Sequence, residues 1–121
     1  MDTSVWVDHF RRGDATLTAL LRDGLVLIHP FVIGELALGT LRDWHDTVAT
    51  LQELPQADVV SQDTYLALID DEELVATGLG FVDTHLLAST RHRPGVHLWT
   101  KDKRLAARAD TMGIGWIDQT P

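Results

Sequence analysis

Residues 96–117 read VHLWTKDKRLAARADTMGIGWI, from Val96 to Ile117, and their order decides the fold class. The apolar run 96–100 reads as a short strand. Asp102 follows where a helix N-cap belongs, and residues 103–112 carry a helical pattern up to Gly113, a residue suited to the left-handed position after a helix. Residues 114–117 then read as a second short strand. Outward from this unit the alternation continues. Residues 25–28 form an apolar run before Pro30, which suits the first turn of a helix through Phe31, Ile33, Leu36 and Leu41. Leu41, Trp44, Val48, Leu51 and Leu54 recur at three- and four-residue intervals, predicting an amphipathic helix that Pro55 stops. Residues 58–60 read as a brief strand. Ser61 is placed to cap a helix carrying Tyr65, Leu68 and Ile69, and a further helical stretch runs through Leu74 to the turn Gly78-Leu79-Gly80. A helix over 81–90 follows. Strands alternating with helices predict an α/β fold with a central, mostly parallel sheet and helices on both faces. In such folds, sites gather beyond the carboxyl ends of the strands.

The chain has 121 residues with neither repeat nor linker, which predicts a single domain over 1–121. With 45% hydrophobic and 23% charged residues it can build a core without staples. There is no cysteine, so disulfide scaffolds, thiolate metal sites and cysteine nucleophiles are excluded. The start Met1-Asp2-Thr3-Ser4 has no basic leader, and no apolar stretch approaches the ~20 residues of a membrane span. A cytoplasmic protein without membrane contact is expected. The net charge of -8 argues against a nucleic-acid partner, but its distribution argues otherwise. Between 91 and 108 stand Arg91, Arg93, Lys101, Lys103, Arg104 and Arg108 against the single acid Asp102. That is the pattern of a basic rim beside an acidic site, or of a solvated helix face.

Familiar catalytic motifs are missing: there is no G-x-S-x-G elbow, no P-loop and no H-E-x-x-H pair. Gly78-Leu79-Gly80 opens like a dinucleotide fingerprint but reaches Asp83 where the last glycine belongs, so it reads as a tight turn. The six histidines, His9, His29, His45, His85, His92 and His97, do not fall at spacings that aim two rings at one metal.

The carboxylates are more informative. Glu35 is the only charged residue between Asp23 and Arg42, on a segment apolar nearly all round, where an unpaired charge is expensive. Asp83 is the only formal charge between Glu73 and Arg91, at the start of a predicted helix. Taken singly, Asp83 is a first-turn acid, Asp102 a cap, Glu35 an acid reaching water, and Asp2 part of an exposed terminus. Together, three of them fall at strand-to-helix junctions, with Glu35 on a neighbouring helix. Clustered carboxylates repel one another, and a hard divalent ion such as Mg²⁺ or Mn²⁺ relieves that repulsion.

Four blocks carry a family resemblance: Asp2-Thr3-Ser4-Val5-Trp6-Val7-Asp8, Gly34-Glu35-Leu36, Gly78-Leu79-Gly80-Phe81-Val82-Asp83 and Trp99-Thr100-Lys101-Asp102-Lys103. In order and spacing the chain resembles the PIN-domain nucleases, specifically the VapC toxins of bacterial toxin–antitoxin systems. The resemblance implies a three-layer PIN-like fold and a ribonuclease requiring Mg²⁺ or Mn²⁺. It also implies a homodimer, held inactive by a cognate VapB-like antitoxin. Asp2, Glu35, Asp83 and Asp102 match the family's four acids, with Asp2 and Asp83 as the expected direct metal ligands. Thr100 matches its hydroxyl residue two before the last acid. Where the family places a few strand residues ahead of the first acid, only Met1 stands here, so a short first strand or an upstream start is expected.

The chemistry that follows is metal-assisted hydrolysis of RNA phosphodiester bonds, with Arg91, Arg93, Lys101 and Lys103 gripping the RNA backbone. Two other readings remain: a non-catalytic PIN-like protein-interaction module, and a metal-dependent nuclease acting on DNA. A receiver domain fits poorly, since it wants adjacent acids after its first strand, whereas Asp70-Asp71 fall in a predicted helix.

Overall fold

The computed structural model describes residues 1–116. Among them are seven α-helices: α1 Thr3–Arg12, α2 Ala15–Arg22, α3 Pro30–Ala37, α4 Trp44–Glu53, α5 Gln62–Asp71, α6 Phe81–His92 and α7 Lys103–Thr111. Local chemistry sets most of their ends. Asp14 accepts the Leu17 N–H at 2.9 Å and starts α2, Ser61 accepts the Thr64 N–H at 3.1 Å and starts α5, and Pro30 opens α3. Gly113, at φ 74°, provides the left-handed exit from α7.

Three expected boundaries move. The helix expected from Pro30 to Leu41 ends at Ala37, whose carbonyl accepts the Trp44 indole N–H at 2.8 Å. The next helix therefore begins at Trp44 rather than Leu41, after Asp43 at φ 50°. The stretch to Leu74, expected to be helical, is instead a run of turns after Asp71, with Glu73, Ala76 and Gly78 at positive φ. At the other end of the chain, α1 starts directly after Asp2, so no strand follows the first acid.

The expected strands are reduced among the described residues to two isolated parallel bridges, Ile28 with Gln56 and Leu98 with Gly115. Ile28 donates to the Pro55 carbonyl at 3.0 Å and accepts from Ala57 at 2.8 Å. Leu98 donates to Ile114 and accepts from Trp116, both at 2.8 Å. Pro55 has no N–H to continue the first ladder, and the pairing expected at 58–60 falls at Gln56 instead. Of the last expected strand, Gly115 pairs, while Ile117 lies outside the described residues.

Val5, Leu17, Ile28, Val32, Leu68, Leu87, Leu105 and Ala109, drawn from six helices and the first bridge, are completely buried and form the centre of the core. Helix α6 runs through it: residues 84–90 are buried without a break, so Asp83 enters from the first turn of a fixed rod. Leu98 and Trp99 are buried too, and the Trp99 carbonyl accepts the Asp2 N–H at 2.9 Å, tying the two ends of the sequence together.

Candidate active site

Asp2 occupies the N-cap position of α1, yet its side chain does not cap the helix. Its Oδ2 accepts two hydroxyls instead, Ser4 Oγ at 2.6 Å and Thr100 Oγ1 at 2.7 Å, leaving Oδ1 without a protein hydrogen bond among the described residues. Both hydroxyls are themselves fixed by backbone, since Ser4 Oγ accepts the Lys101 N–H and Thr100 Oγ1 the Asp102 N–H, each at 3.0 Å. A carboxylate only 5% exposed is thus bonded on one edge and free on the other. Asp102 divides its oxygens in the same way: Oδ1 caps α7, accepting from Arg104 at 2.9 Å and Leu105 at 3.1 Å. The capping role read from sequence is therefore present, with Oδ2 to spare.

Asp83 stands three residues into α6, where Oδ2 accepts the Gly80 N–H at 3.3 Å. Half-burial pushes its carboxyl above the ordinary carboxylate range, against the lowering effect of that amide; the charges of Asp2, Asp102 and Glu35 raise it further. All four acids therefore share one field. Glu35, exposed on α3, is oriented by a 2.7 Å hydrogen bond from Thr3 Oγ1. Asp2, Asp83 and Asp102 sit at the N-terminal ends of α1, α6 and α7, whose dipoles offset part of the repulsion. None of the four forms a salt bridge among the described residues. Asp83 and Asp102 line a cleft with Gly78, Leu79, Lys103 and Arg104, and Arg104 Nη1 donates to the Gly78 carbonyl at 3.4 Å.

Among the described residues, no three His, Asp or Glu side chains converge tightly enough to hold an ion by themselves. Four carboxylates without a salt bridge among the described residues, each with one oxygen to spare, fit an ion that keeps several waters and takes one or two protein oxygens.

The basic residues expected to grip RNA are not all gathered at the acids. Lys101 bridges Asp8 and Asp14, the latter at 3.4 Å, and Arg91 lies 3.5 Å from Asp71 and 3.8 Å from Glu72. Arg91 lies eight residues beyond Asp83, about 12 Å along the axis of α6, and Arg93 lies past the end of that helix. Lys103 alone of the four lines the cleft, joined by Arg104. Thr3 and Ser4 were missed in the sequence. Ser4 is 96 residues from Thr100, and nothing local to either residue signals that contact.

The PIN-domain family model matches residues 1–111, which includes all four acids. The chain belongs to the PIN-domain family. This places it in an α/β fold class and bears out the resemblance seen in the four sequence blocks. Ribonuclease VapC32 of Mycobacterium tuberculosis, in strain CDC 1551 / Oshkosh and in strain ATCC 25618 / H37Rv, is 41% identical over 119 residues, covering 98% of this chain and 96% of that protein. No solved structure gives a significant match. Among the described residues, no helix is long and apolar enough to cross a membrane.

Proposed function

We propose that this PIN-domain protein is the toxin of a toxin–antitoxin system, an endoribonuclease that hydrolyses RNA phosphodiester bonds with the help of a divalent metal ion. One observation carries the reading: in a chain 41% identical to a ribonuclease over nearly its whole length, four carboxylates from separate parts of the sequence share one electrostatic site, none of them salt-bridged among the described residues.

Asp2 and Asp83 would hold the ion, with Asp102 Oδ2 and Glu35 reaching its waters. Bound Mg²⁺ or Mn²⁺ supplies Lewis acidity, lowering the pKa of water and neutralising charge on the phosphate. The chain's own contribution is positional. Ser4 and Thr100 fix the rotamer of Asp2, the α7 cap fixes Asp102, and Thr3 turns Glu35 towards α1. Lys103 and Arg104 meet the RNA phosphate beside the acids. By the resemblance to PIN-domain ribonucleases, water is the nucleophile and the products are a 5′-phosphate and a 3′-hydroxyl.

The reading extends to one nuclease domain over 1–121 in a three-layer fold around a central sheet, with two isolated parallel bridges as its support. It also includes a cytoplasmic homodimer and a VapB-like antitoxin whose basic side chain competes for the carboxylates. Expression of the chain alone should arrest growth, and co-expression of the neighbouring antitoxin gene should relieve the arrest. The purified protein should cut labelled RNA and spare DNA of the same sequence. Unimpaired growth together with intact RNA would refute the proposal, while cleavage of DNA alone would favour the deoxyribonuclease.

A further inference from the structure

Phe81, the first residue of α6, is 61% exposed. Single exposed apolar residues are ordinary on protein surfaces, but this ring is held from behind by three others. Phe31 lies 6.1 Å away at 21°, Tyr65 at 5.5 Å and His85 at 4.6 Å. Tyr65 and His85 stack face to face at 3.9 Å and 5°, and both are buried, at 7% and 4%. The space into which Phe81 would retreat is filled. Its exposed surface is a fixed plane.

The plane is built from the two helices that carry Glu35 and Asp83. Phe31 lies one helical turn before Glu35 on the same face of α3, and Phe81 directly follows Gly80, whose N–H binds Asp83. The stacked pair therefore joins the first turns of the two helices that carry Glu35 and Asp83. Helix α3 has no basic residue, and α6 has no Lys or Arg before Arg91. On this side of the site, carboxylates repel a phosphate backbone, and the cations at the cleft, Lys103 and Arg104, come from α7 rather than from α3 or the start of α6. Along α3 and the first turn of α6 the chain offers RNA an aromatic surface instead of a cation, and every nucleobase presents a neutral flat face to it.

We propose that Phe81, backed by Phe31, is a stacking platform for a nucleobase beside the bond that is cut, a sequence-tolerant contact that positions the RNA at the carboxylates. This rests on the ribonuclease reading above.

The test compares full-length Phe81→Ala, Phe81→Leu and Phe81→Trp with the parent. Cleavage of a mixed-sequence single-stranded RNA is measured in the otherwise native chain, and binding of the same RNA in an Asp83→Asn background, where the RNA survives. Loss of one base stack should weaken binding roughly 5- to 150-fold in Phe81→Ala. Phe81→Leu, apolar but without a π face, should remain weak, and Phe81→Trp should restore binding. An RNA lacking bases at successive positions should lose sensitivity to Phe81 when the missing base is the stacked one. Parent-like RNA binding and cleavage in Phe81→Ala would overturn the platform while leaving the ribonuclease intact. Loss of antitoxin capture alone would likewise overturn it and assign the ring to the protein partner. A parent that cuts no RNA would instead overturn the ribonuclease reading itself.

Discussion

Thr100 donates a 2.7 Å hydrogen bond to Asp2 across 98 residues of sequence, and the same hydroxyl accepts the backbone N–H of Asp102. One oxygen thereby aligns two of the four acids. Thr100→Val keeps the shape and removes both bonds, leaving the Asp102 N–H unpaired and Asp2 with Ser4 alone. Cleavage should fall about 10- to 100-fold, with a higher metal concentration needed for half-activity. Thr100→Ser should recover most of the loss. Equal activity in the valine variant would reduce Thr100 to a packing residue.

Asp83 links function to stability. Because its carboxyl is raised in the fold, the unfolded chain ionises first, and this residue's contribution to stability declines as pH rises from the ordinary value of 3.8 through the raised one. Asp83→Asn removes the charge and keeps an oxygen for the Gly80 N–H, so the variant should melt higher than the parent at neutral pH. The difference should vanish in acid. Mg²⁺ should raise the melting temperature of the parent and not of the variant, which should also lose cleavage by more than ~100-fold. A variant less stable at neutral pH would contradict the shared field of the acids.

His29 should set part of the acid limb of the stability curve. Its Nδ1 accepts the Phe31 N–H at 3.0 Å, while Nε2 is buried without a partner among the described residues. Burial, with a smaller effect from His85, holds His29 down to about 4 from 6.5. The unfolded chain thus binds a proton that the fold refuses, and stability should fall as pH drops from 6.5 towards 4. Melting curves across that window should flatten in His29→Asn, which keeps a capping acceptor but does not titrate.

How much of this was legible in the chain depends on distance. Asp102 before Lys103, Ser61 before Gln62 and Pro30 at the head of α3 are local signals, and each became a helix start. Glu35 and Asp83 stand out in the sequence as lone charges, whereas Asp2 and Asp102 join them through their expected place at helix starts and the resemblance to PIN-domain nucleases. Of their hydroxyl partners Thr100 was legible through the resemblance, while Thr3 and Ser4 were not, since Thr3 meets Glu35 and Ser4 meets Lys101 across segments far apart in sequence. The strands were over-read for the same reason. A short apolar run signals burial, but extended pairing needs a partner, and Ile28 finds only the residues around Pro55. Helix α2 went unread although Asp14 caps it in the ordinary way.

Charge removal should separate the basic residues. Lys103→Ala should lower the slope of RNA affinity against salt by about 1, without changing sequence preference. Lys101→Ala should leave that slope unchanged and lower the melting temperature slightly, because its ammonium is committed to Asp8 and Asp14. A large slope change for Lys101 and none for Lys103 would reverse the assignment made from the ion pairs.

The central claim is that the four carboxylates work through a divalent ion on RNA. Its most direct measurement is the cleavage of end-labelled single-stranded RNA by the purified chain, with Mg²⁺ or Mn²⁺ and then with chelator in excess. Cleavage should occur only with the ion, return when it is restored, and leave a 5′-phosphate. Undiminished cleavage in excess chelator would contradict the account.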